Sequence, residues 1–361
     1  MAEKGSDSGE ARQRAPRASV GLRDVARAAG VSTATVSRAI NTPEIVSSEV
    51  RQRIAAVVEQ LGWVPDGAAR ALTTRRSGAI GAVFPTLSQG DFARATATIQ
   101  AELQSHGYTL LLACSNYDLD QEYQQVRKFI ERGVDGIILV GENRHPLLSE
   151  MLKRQRVPFV NTFVYSPETH GTCVGPDNRK ALYRLTSYLA DLGHRRFAIV
   201  AQSTHNNDRA AARLAGIRDA LAERGLAVRP QHLAIGEWTI AEGRTLFRKV
   251  MSASPAPTAV LCGNAYLAVG AVLESMAMNL GVPEEVSIVG YDDIEVMSEL
   301  PIPVTTLKVN GEEVGRHAAR CVISQIERKP AEIIYEWGAE ILLRASSGPP
   351  PKARSRGRDL P

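Results

Sequence analysis

Apolar residues recur at helical spacing in three short runs near the start of the chain. The first, about Leu22–Ala29, stops at Gly30. The second starts from Ser32, a good N-cap, runs to about Ile40, and is ended by Asn41, Thr42 and Pro43. The third begins near Ser48, carries Val50, Ile54, Val57 and Leu61 on one face, and stops at Gly62. From Ser77 the period changes. Short β-rich runs ("AIGAVFP", "YTLLLAC", "GIILVG", "FVNTF", "FAIVA", "AVLCGN", "SIVGYD") alternate with amphipathic segments. Nearly continuous apolar strands separated by helices predict parallel sheets covered on both faces. About 265 residues of this pattern divide naturally into two doubly wound α/β subdomains. Residues 1–20 lack periodicity, and residues 348–361 are Pro-rich and basic; both are expected to be disordered tails. No leucine heptads are seen near the end of the chain that would form a coiled coil.

The first two helices read as a helix-turn-helix. Ala26 is small where the helices must approach, Gly30 allows a tight turn, and Val25, Val31 and Val36 can form a shared core. Val36, Ala39 and Ile40 fit the inward face of the second helix; Thr33, Ala34 and Arg38 fit the outward one. A solvated helical hairpin would show the same spacing. Charge adds weight to a nucleic-acid partner. Residues 1–76 hold 12 basic and 8 acidic residues, whereas the remainder is balanced at 31 of each, so the whole net charge of +4 sits at the N-terminal end.

Other classes fall away on composition. No apolar run approaches the ~18 residues of a membrane span. The first residues lack an apolar h-region, so no secretory signal is expected. Cys114, Cys173, Cys262 and Cys321 are far apart, and the seven histidines show no ligand spacing. No metal, cofactor or disulfide framework is expected, and the cytoplasm is the expected compartment.

The stretches "LRDVARAAGVSTATVSRAIN" and "VSSEVRQRIAAVVEQLGWVPDGAARAL" closely resemble the start of LacI/GalR-family transcription regulators. The resemblance implies a DNA-binding domain over residues 21–64, a hinge over 65–77 and an effector-binding domain over 78–347 similar to periplasmic sugar-binding proteins. It implies that Thr33, Ala34 and Arg38 read bases, and that Ser32, Thr35, Ser37 and Asn41 contact the DNA backbone. Arg38 has the donors to grip guanine O6/N7, while the Ala34 methyl can make only an apolar contact, such as with a thymine methyl. Hydroxyls suit phosphate oxygens, which position without specifying. In the hinge, Leu72 matches a leucine that wedges into the minor groove, with Ala69 and Arg70 beside it. The segment is short enough to be marginal as a helix without DNA.

"LGHRRFAIV", "ARLAGIRDAL", "PTAVLCGNAYLAVGA", "VPEEVSIVGYDD" and "PVTTLKVN" carry the resemblance through the effector domain. Ligands in such sheets bind beyond the carboxyl ends of strands. Arg213 matches the family's ligand-binding arginine, although a helix-surface role fits the bare sequence. Asp292 can accept two ligand hydroxyls or cap a helix. Asn264 offers donors and an acceptor or ends a strand. Trp238 offers an aromatic face or packs in the core. Asn116, Ser88 and Asn161 follow strands of the first subdomain, and Asp177 is either a cleft acid or a cap. The pattern departs from the family at Ala265, where Asp is usual, and at Gly311, where some members have an aromatic residue. The pocket is therefore expected to differ from those of the lactose and purine regulators.

The functional expectation is a repressor that binds a palindromic operator as a homodimer, under control of a sugar or sugar acid. Two other classes share the sheet pattern. A transporter's solute-binding protein is disfavoured by residues 22–62 and the missing signal. A nucleotide-dependent enzyme is disfavoured because no GxGxxG or GxxxxGK[ST] follows a strand.

Overall fold

The computed structural model describes residues 20–65, 67, 76–165, 172–329, 334–336 and 338–352. The chain divides into two compact units between Ser77 and Gly78. Ala69, Arg70 and Leu72, the hinge candidates, lie outside the described residues.

In the smaller unit, α1 (Leu22–Ala28), α2 (Thr33–Asn41) and α3 (Ser48–Leu61) enclose Val25, Val36 and Ile54, each almost wholly buried. Gly30 turns the chain with φ +65°, a left-handed conformation that favours glycine. The Val31 N–H then bonds back to the Ala26 carbonyl at 3.0 Å. Gly62 closes α3 in the left-handed conformation, with Trp63 N–H on the Val58 carbonyl.

The larger unit has two lobes. The first begins with β1 (Ala79–Phe84), α4 (Gly90–Ser105), β2 (Thr109–Cys114), α5 (Leu119–Glu131), β3 (Gly136–Val140), α6 (Pro146–Gln155), β4 (Phe159–Thr162) and β5 (Cys173–Gly175). The chain crosses to the second lobe through α7 (Asn178–Asp191), β6 (Phe197–Gln202), α8 (Asp208–Ala222), β7 (Leu233–Gly236), α9 (Ile240–Met251) and β8 (Ala259–Cys262). That lobe continues with α10 (Ala265–Ala277), β9 (Ser287–Tyr291), α11 (Val296–Glu299) and β10 (Thr305–Lys308). The chain returns to the first lobe for α12 (Gly311–Ile326) and β11 (Ile334–Glu336), then ends in the second with β12 (Glu340–Leu342).

Sheet order among the described residues is β11-β5-β4-β3-β1-β2 in one lobe and β12-β10-β9-β8-β6-β7 in the other. All pairings are parallel except β10 with β12. The two orders match strand for strand, and β1, β3, β6 and β9 are buried along nearly their whole length because helices cover both faces. No helix among the described residues is long and apolar enough to cross a membrane.

The expected boundary at residue 348 needs a small correction, because Gly348 itself is bonded to the second sheet. Ser346 is wholly buried: its Oγ donates to the Ile288 carbonyl and accepts from Thr305 N–H at 2.8 Å. Gly348 N–H bonds Ser287 Oγ at 3.0 Å, and its carbonyl accepts from His194 Nε2 at 2.9 Å. Composition suggested a free end, but these paired backbone groups strap residues 346–348 onto the second sheet.

His194 is buried in this strap, with Nδ1 3.0 Å from Thr258 Oγ1. Burial holds its pKa below the ordinary 6.5. The folded state therefore binds fewer protons than the unfolded state, and stability falls as pH drops through the unfolded value. The melting temperature of the larger unit is expected to fall between about pH 7 and about pH 5. His194→Gln, which keeps hydrogen-bonding groups but does not titrate, should make that fall shallower in a calorimetric pH series. An unchanged slope would remove His194 as its source.

Candidate functional site

Two surfaces carry the candidate residues, one on each unit. On the smaller unit, α2 is capped by Ser32, whose Oγ accepts the Thr35 N–H at 3.1 Å and lies 2.8 Å from Thr35 Oγ1. Thr33, Ala34 and Arg38 are exposed on one side of the helix, opposite the buried Val36. Arg38 has no side-chain hydrogen bond or ion pair among the described residues, so its guanidinium donors are available to a ligand. Asn41 Nδ2 donates to Ser37 Oγ at 3.2 Å, tying together two of the backbone-contact candidates. Arg51 Nη1 holds the Pro43 carbonyl at 3.2 Å and so fixes the turn that follows α2.

The second surface is the cleft between the lobes, at the carboxyl ends of their strands. Its inner chamber has a cavity of about 30 Å³. That volume is roughly the share of one water molecule in the liquid. It opens toward an outer chamber of about 340 Å³, and Tyr117, Gln202 and Asn207 line both.

Arg213 organises the inner chamber from α8. Gly216, one turn on, brings α8 close to α7: a Cβ there would lie 2.0 Å from the Arg179 carbonyl oxygen. The approach lets the buried Arg213 donate from Nη1 to Asn178 Oδ1 at 2.8 Å. Its guanidinium carbon lies 4.2 Å from the centre of the Tyr291 ring, a cation–π contact. The Gln202 amide, turned so that its oxygen faces Arg213, accepts from Nη2 at 2.7 Å. Arg213 Nε is buried without a partner. Asn178 links the lobes further, accepting from Tyr291 Oη at 2.9 Å and donating to the Phe163 carbonyl at 3.0 Å.

Asp292 follows β9 with φ +67°. Its N–H bonds the Leu307 carbonyl at 2.8 Å, and its own carbonyl accepts from Thr306 Oγ1 at 2.6 Å. Its carboxyl lines the inner chamber beside that of Asp91, from the first turn of α4. Burial, and then the neighbouring Asp91 charge, holds the Asp292 pKa well above the usual carboxylate range. Burial also raises that of Asp91, against the lowering effect of the Arg94 guanidinium bonded to it.

The other candidates are distributed more widely. Asn264 lines the inner chamber but also caps α10, accepting the Leu267 N–H at 2.9 Å. Trp238 and Asn116 line the outer chamber, with Trp238 edge-on to Tyr266 at 5.5 Å. Asn161 is buried within β4, accepts from Arg144 Nη2 at 2.6 Å, and lines neither chamber. Asp177 caps α7 through Lys180 N–H. Gly311 leaves room for α4: a Cβ there would come within 2.6 Å of the Asp91 carbonyl oxygen. Asp91, Asn178 and Gln202 line the inner chamber without having been singled out in the sequence. Gln202 ends β6 and Asp91 lies shortly after β1, so the strand-end rule applied to every strand would have found both.

Further hydrogen bonds shut the cleft across the lobes. Tyr266 Oη donates to the Ser88 carbonyl at 2.8 Å, Asn206 Nδ2 to the Tyr117 carbonyl at 3.1 Å, and Arg94 Nη2 to the Asp293 carbonyl at 3.2 Å. Asp208 Oδ2 accepts from the N–H groups of Glu142 and Asn143 at 2.6 and 3.3 Å. Among the described residues, no group of three or more His, Cys, Asp or Glu is placed to hold a metal.

Residues 77–336 match the family model described as periplasmic binding proteins and the sugar binding domain of the LacI family. Residues 21–66 match the model for bacterial regulatory proteins of the lacI family. The transcriptional repressor CytR of Escherichia coli K12 is 30% identical over 307 residues, covering 85% of this chain and 89% of that protein. The ribose operon repressor of Haemophilus influenzae is 29% identical, covering 85% and 92%. The solved lac repressor dimer bound to operator and an anti-inducer shares the fold, with a TM-score of 0.81 at 23% identity, covering 91% of this chain and 99% of that one.

Proposed function

The chain belongs to the LacI family of bacterial regulatory proteins, and from that premise we propose that it is a repressor whose hold on a palindromic operator is set by a sugar or sugar acid in the cleft. It is a DNA-binding regulator with a ligand-binding domain. The observation that carries the finer reading is the inner chamber, which Asp292 lines together with Arg213, whose buried Nε has no hydrogen-bond partner among the described residues. Unmet donors and acceptors facing one small space suit ligand hydroxyls. Trp238 and Asn116 extend the site outward to a chamber large enough for the rest of such a molecule.

On the DNA side, Thr33, Ala34 and Arg38 read base edges, and Ser32, Thr35, Ser37 and Asn41 anchor the phosphate backbone. Leu72, with Ala69 and Arg70, forms the minor-groove wedge that DNA orders. One helix-turn-helix reads one half-site, so the operator is palindromic and the protein acts as a homodimer in the cytoplasm, at the nucleoid. Ligand binding shifts the population between cleft conformations that favour and disfavour this paired arrangement. The relatives are repressors, and no enzymatic step is assigned to this chain.

Enrichment of genomic fragments by the full-length protein at moderate salt tests the reading. A palindromic site should emerge. Arg38→Ala should then weaken binding to that site by about 1–3 kcal/mol, or about 5–150-fold. Non-specific binding should lose only the share of one charge. Failure to enrich any palindrome would overturn the assignment; equal losses on both DNAs would show that Arg38 meets phosphate, not a base.

A further inference from the structure

Two acids meet where the lobes close. Asp91 belongs to the first lobe and Asp292 to the second, and both line the inner chamber, close enough for each to shift the other's ionisation. Asp91 is 4% exposed, and its Oδ2 has no donor from any other side chain or backbone group among the described residues. A contact between two carboxylates needs a proton, because neither ionised group can donate. We propose that Asp91 and Asp292 form a proton-dependent latch, in which one shared proton lets the two acids stay together and its loss sets two buried like charges against the remaining cross-lobe hydrogen bonds. The proposal rests on the reading of the cleft as a moving ligand site.

The surroundings decide which acid carries the proton. Asp91 lies in the first turn of α4, where the helix N-terminus favours negative charge, and its Oδ1 is bonded by Arg94. It is the acceptor. Asp292 is the donor: the nearest cation on its own lobe, Arg213, is already engaged with Asn178, Gln202 and the Tyr291 ring. Its neighbour Asp293 is neutralised by a two-pronged pair with Arg344, at 2.7 and 3.0 Å. Tyr291 and Tyr266 also stand near the pair, and burial moves both phenols further from ionisation. On α12, whose Gly311 packs against the Asp91 carbonyl, the nearest acids are Glu312 and Glu313, and Glu313 is paired with Arg316. Arg209, the remaining cation of the chamber, is held by Asp208. Buried coupled carboxyls of this kind titrate well above an ordinary aspartate, as a pair. The two remaining full-lobe contacts nearest the latch, Arg94 to Asp293 and Tyr266 to Ser88, involve no proton that leaves at neutral pH.

The latch is tested without ligand, on full-length protein carrying Cys114→Ser, with spin labels at Leu87→Cys on the first lobe and Ile235→Cys on the second, both exposed positions. Pulsed EPR distances are read from about pH 5 to about pH 9. The parent protein should shift from a short to a long distance as pH rises. Asp292→Asn should stay short throughout, because an amide donates to Asp91 without titrating, and Asn tolerates the positive φ of that position. Asp91→Ala should be long throughout. A pH-independent distance in the parent, or the same titration in Asp292→Asn, overturns the latch. If Asp91→Ala is long while the parent ignores pH, the lobes move and only the latch fails. If Asp91→Ala is as short as the acidic parent, the lobes do not separate, and the moving-cleft reading fails with it.

Discussion

Arg213→Ala is expected to abolish ligand control while leaving ligand-free DNA binding intact. The side chain is buried, and it satisfies Asn178, Gln202 and the face of Tyr291 at once. Its loss removes the second-lobe cation that acts on Asp292 and a guanidinium that lines the chamber. Leaving the buried amide oxygens of Asn178 and Gln202 without this donor costs about 1–3 kcal/mol each. The larger unit should therefore melt earlier, and a ligand that raises the melting temperature of the parent should no longer do so. The DNA-binding unit is a separate compact body, divided from the rest at the Ser77–Gly78 junction. Fluorescence anisotropy on operator DNA should return the parent's affinity without ligand and no change with it. Arg213→Lys keeps the charge but loses the planar fork that reaches three partners, and should weaken ligand binding by at least about tenfold. A normal ligand response in either variant would show that the cleft residues are assigned to the wrong ligand surface.

Val36→Asp is the complementary case, with loss of all operator binding and no effect on the cleft. Val36 is wholly buried between Val25 and Ile54 at the centre of the small three-helix core. A carboxyl placed there has no partner, at a cost of several kcal/mol. A unit of about 45 residues has only about 2–7 kcal/mol of stability to lose, at roughly 0.05–0.15 kcal/mol per residue. Calorimetry should show the larger unit unchanged, and gel shifts should show neither specific nor cooperative binding. Retained operator binding would mean that the helix-turn-helix core is not organised around Val36.

These variants rest on parts of the molecule that differ in how readable they were. The helix-turn-helix was legible almost to the residue, because its signals are local. Ser32 caps, Gly30 turns, Gly62 stops, and the apolar spacing selects Val25, Val36 and Ile54. Seven strands, of four to six residues each, were equally legible as apolar runs, and so was the division into two doubly wound lobes. Strands β5, β7 and β10–β12 were not, because each is only three or four residues long and is defined by a neighbour distant in sequence. The bonding of Gly348 was missed because Pro-rich composition cannot reveal that Ser287 and His194 wait across the sheet.

Within the cleft, Arg213 and Asp292 stood out by resemblance, but their partners did not. Asn178 opens a helix, and alone it reads as an ordinary capping-region residue; only the return of the chain through α7 and α8 brings it against Arg213 and Tyr291. Asp91 reads as an acid in a first helical turn, where it needs no further explanation. Its meeting with Asp292 depends on the two lobes closing, which no local pattern encodes. Asn161 shows the reverse. Its position in a strand near the carboxyl edge fitted a ligand contact, yet Arg144 occupies its side-chain oxygen.

The coupling of cleft to operator is most directly tested by one titration. A compound that stabilises the larger unit in a thermal-shift screen of sugars, sugar acids and nucleosides is added to full-length protein bound to its enriched palindromic site. The affinity for DNA should change by at least about fivefold, as a coupling free energy of about 1 kcal/mol or more requires. Unchanged operator affinity at a concentration that saturates the stabilisation would contradict ligand control of DNA binding.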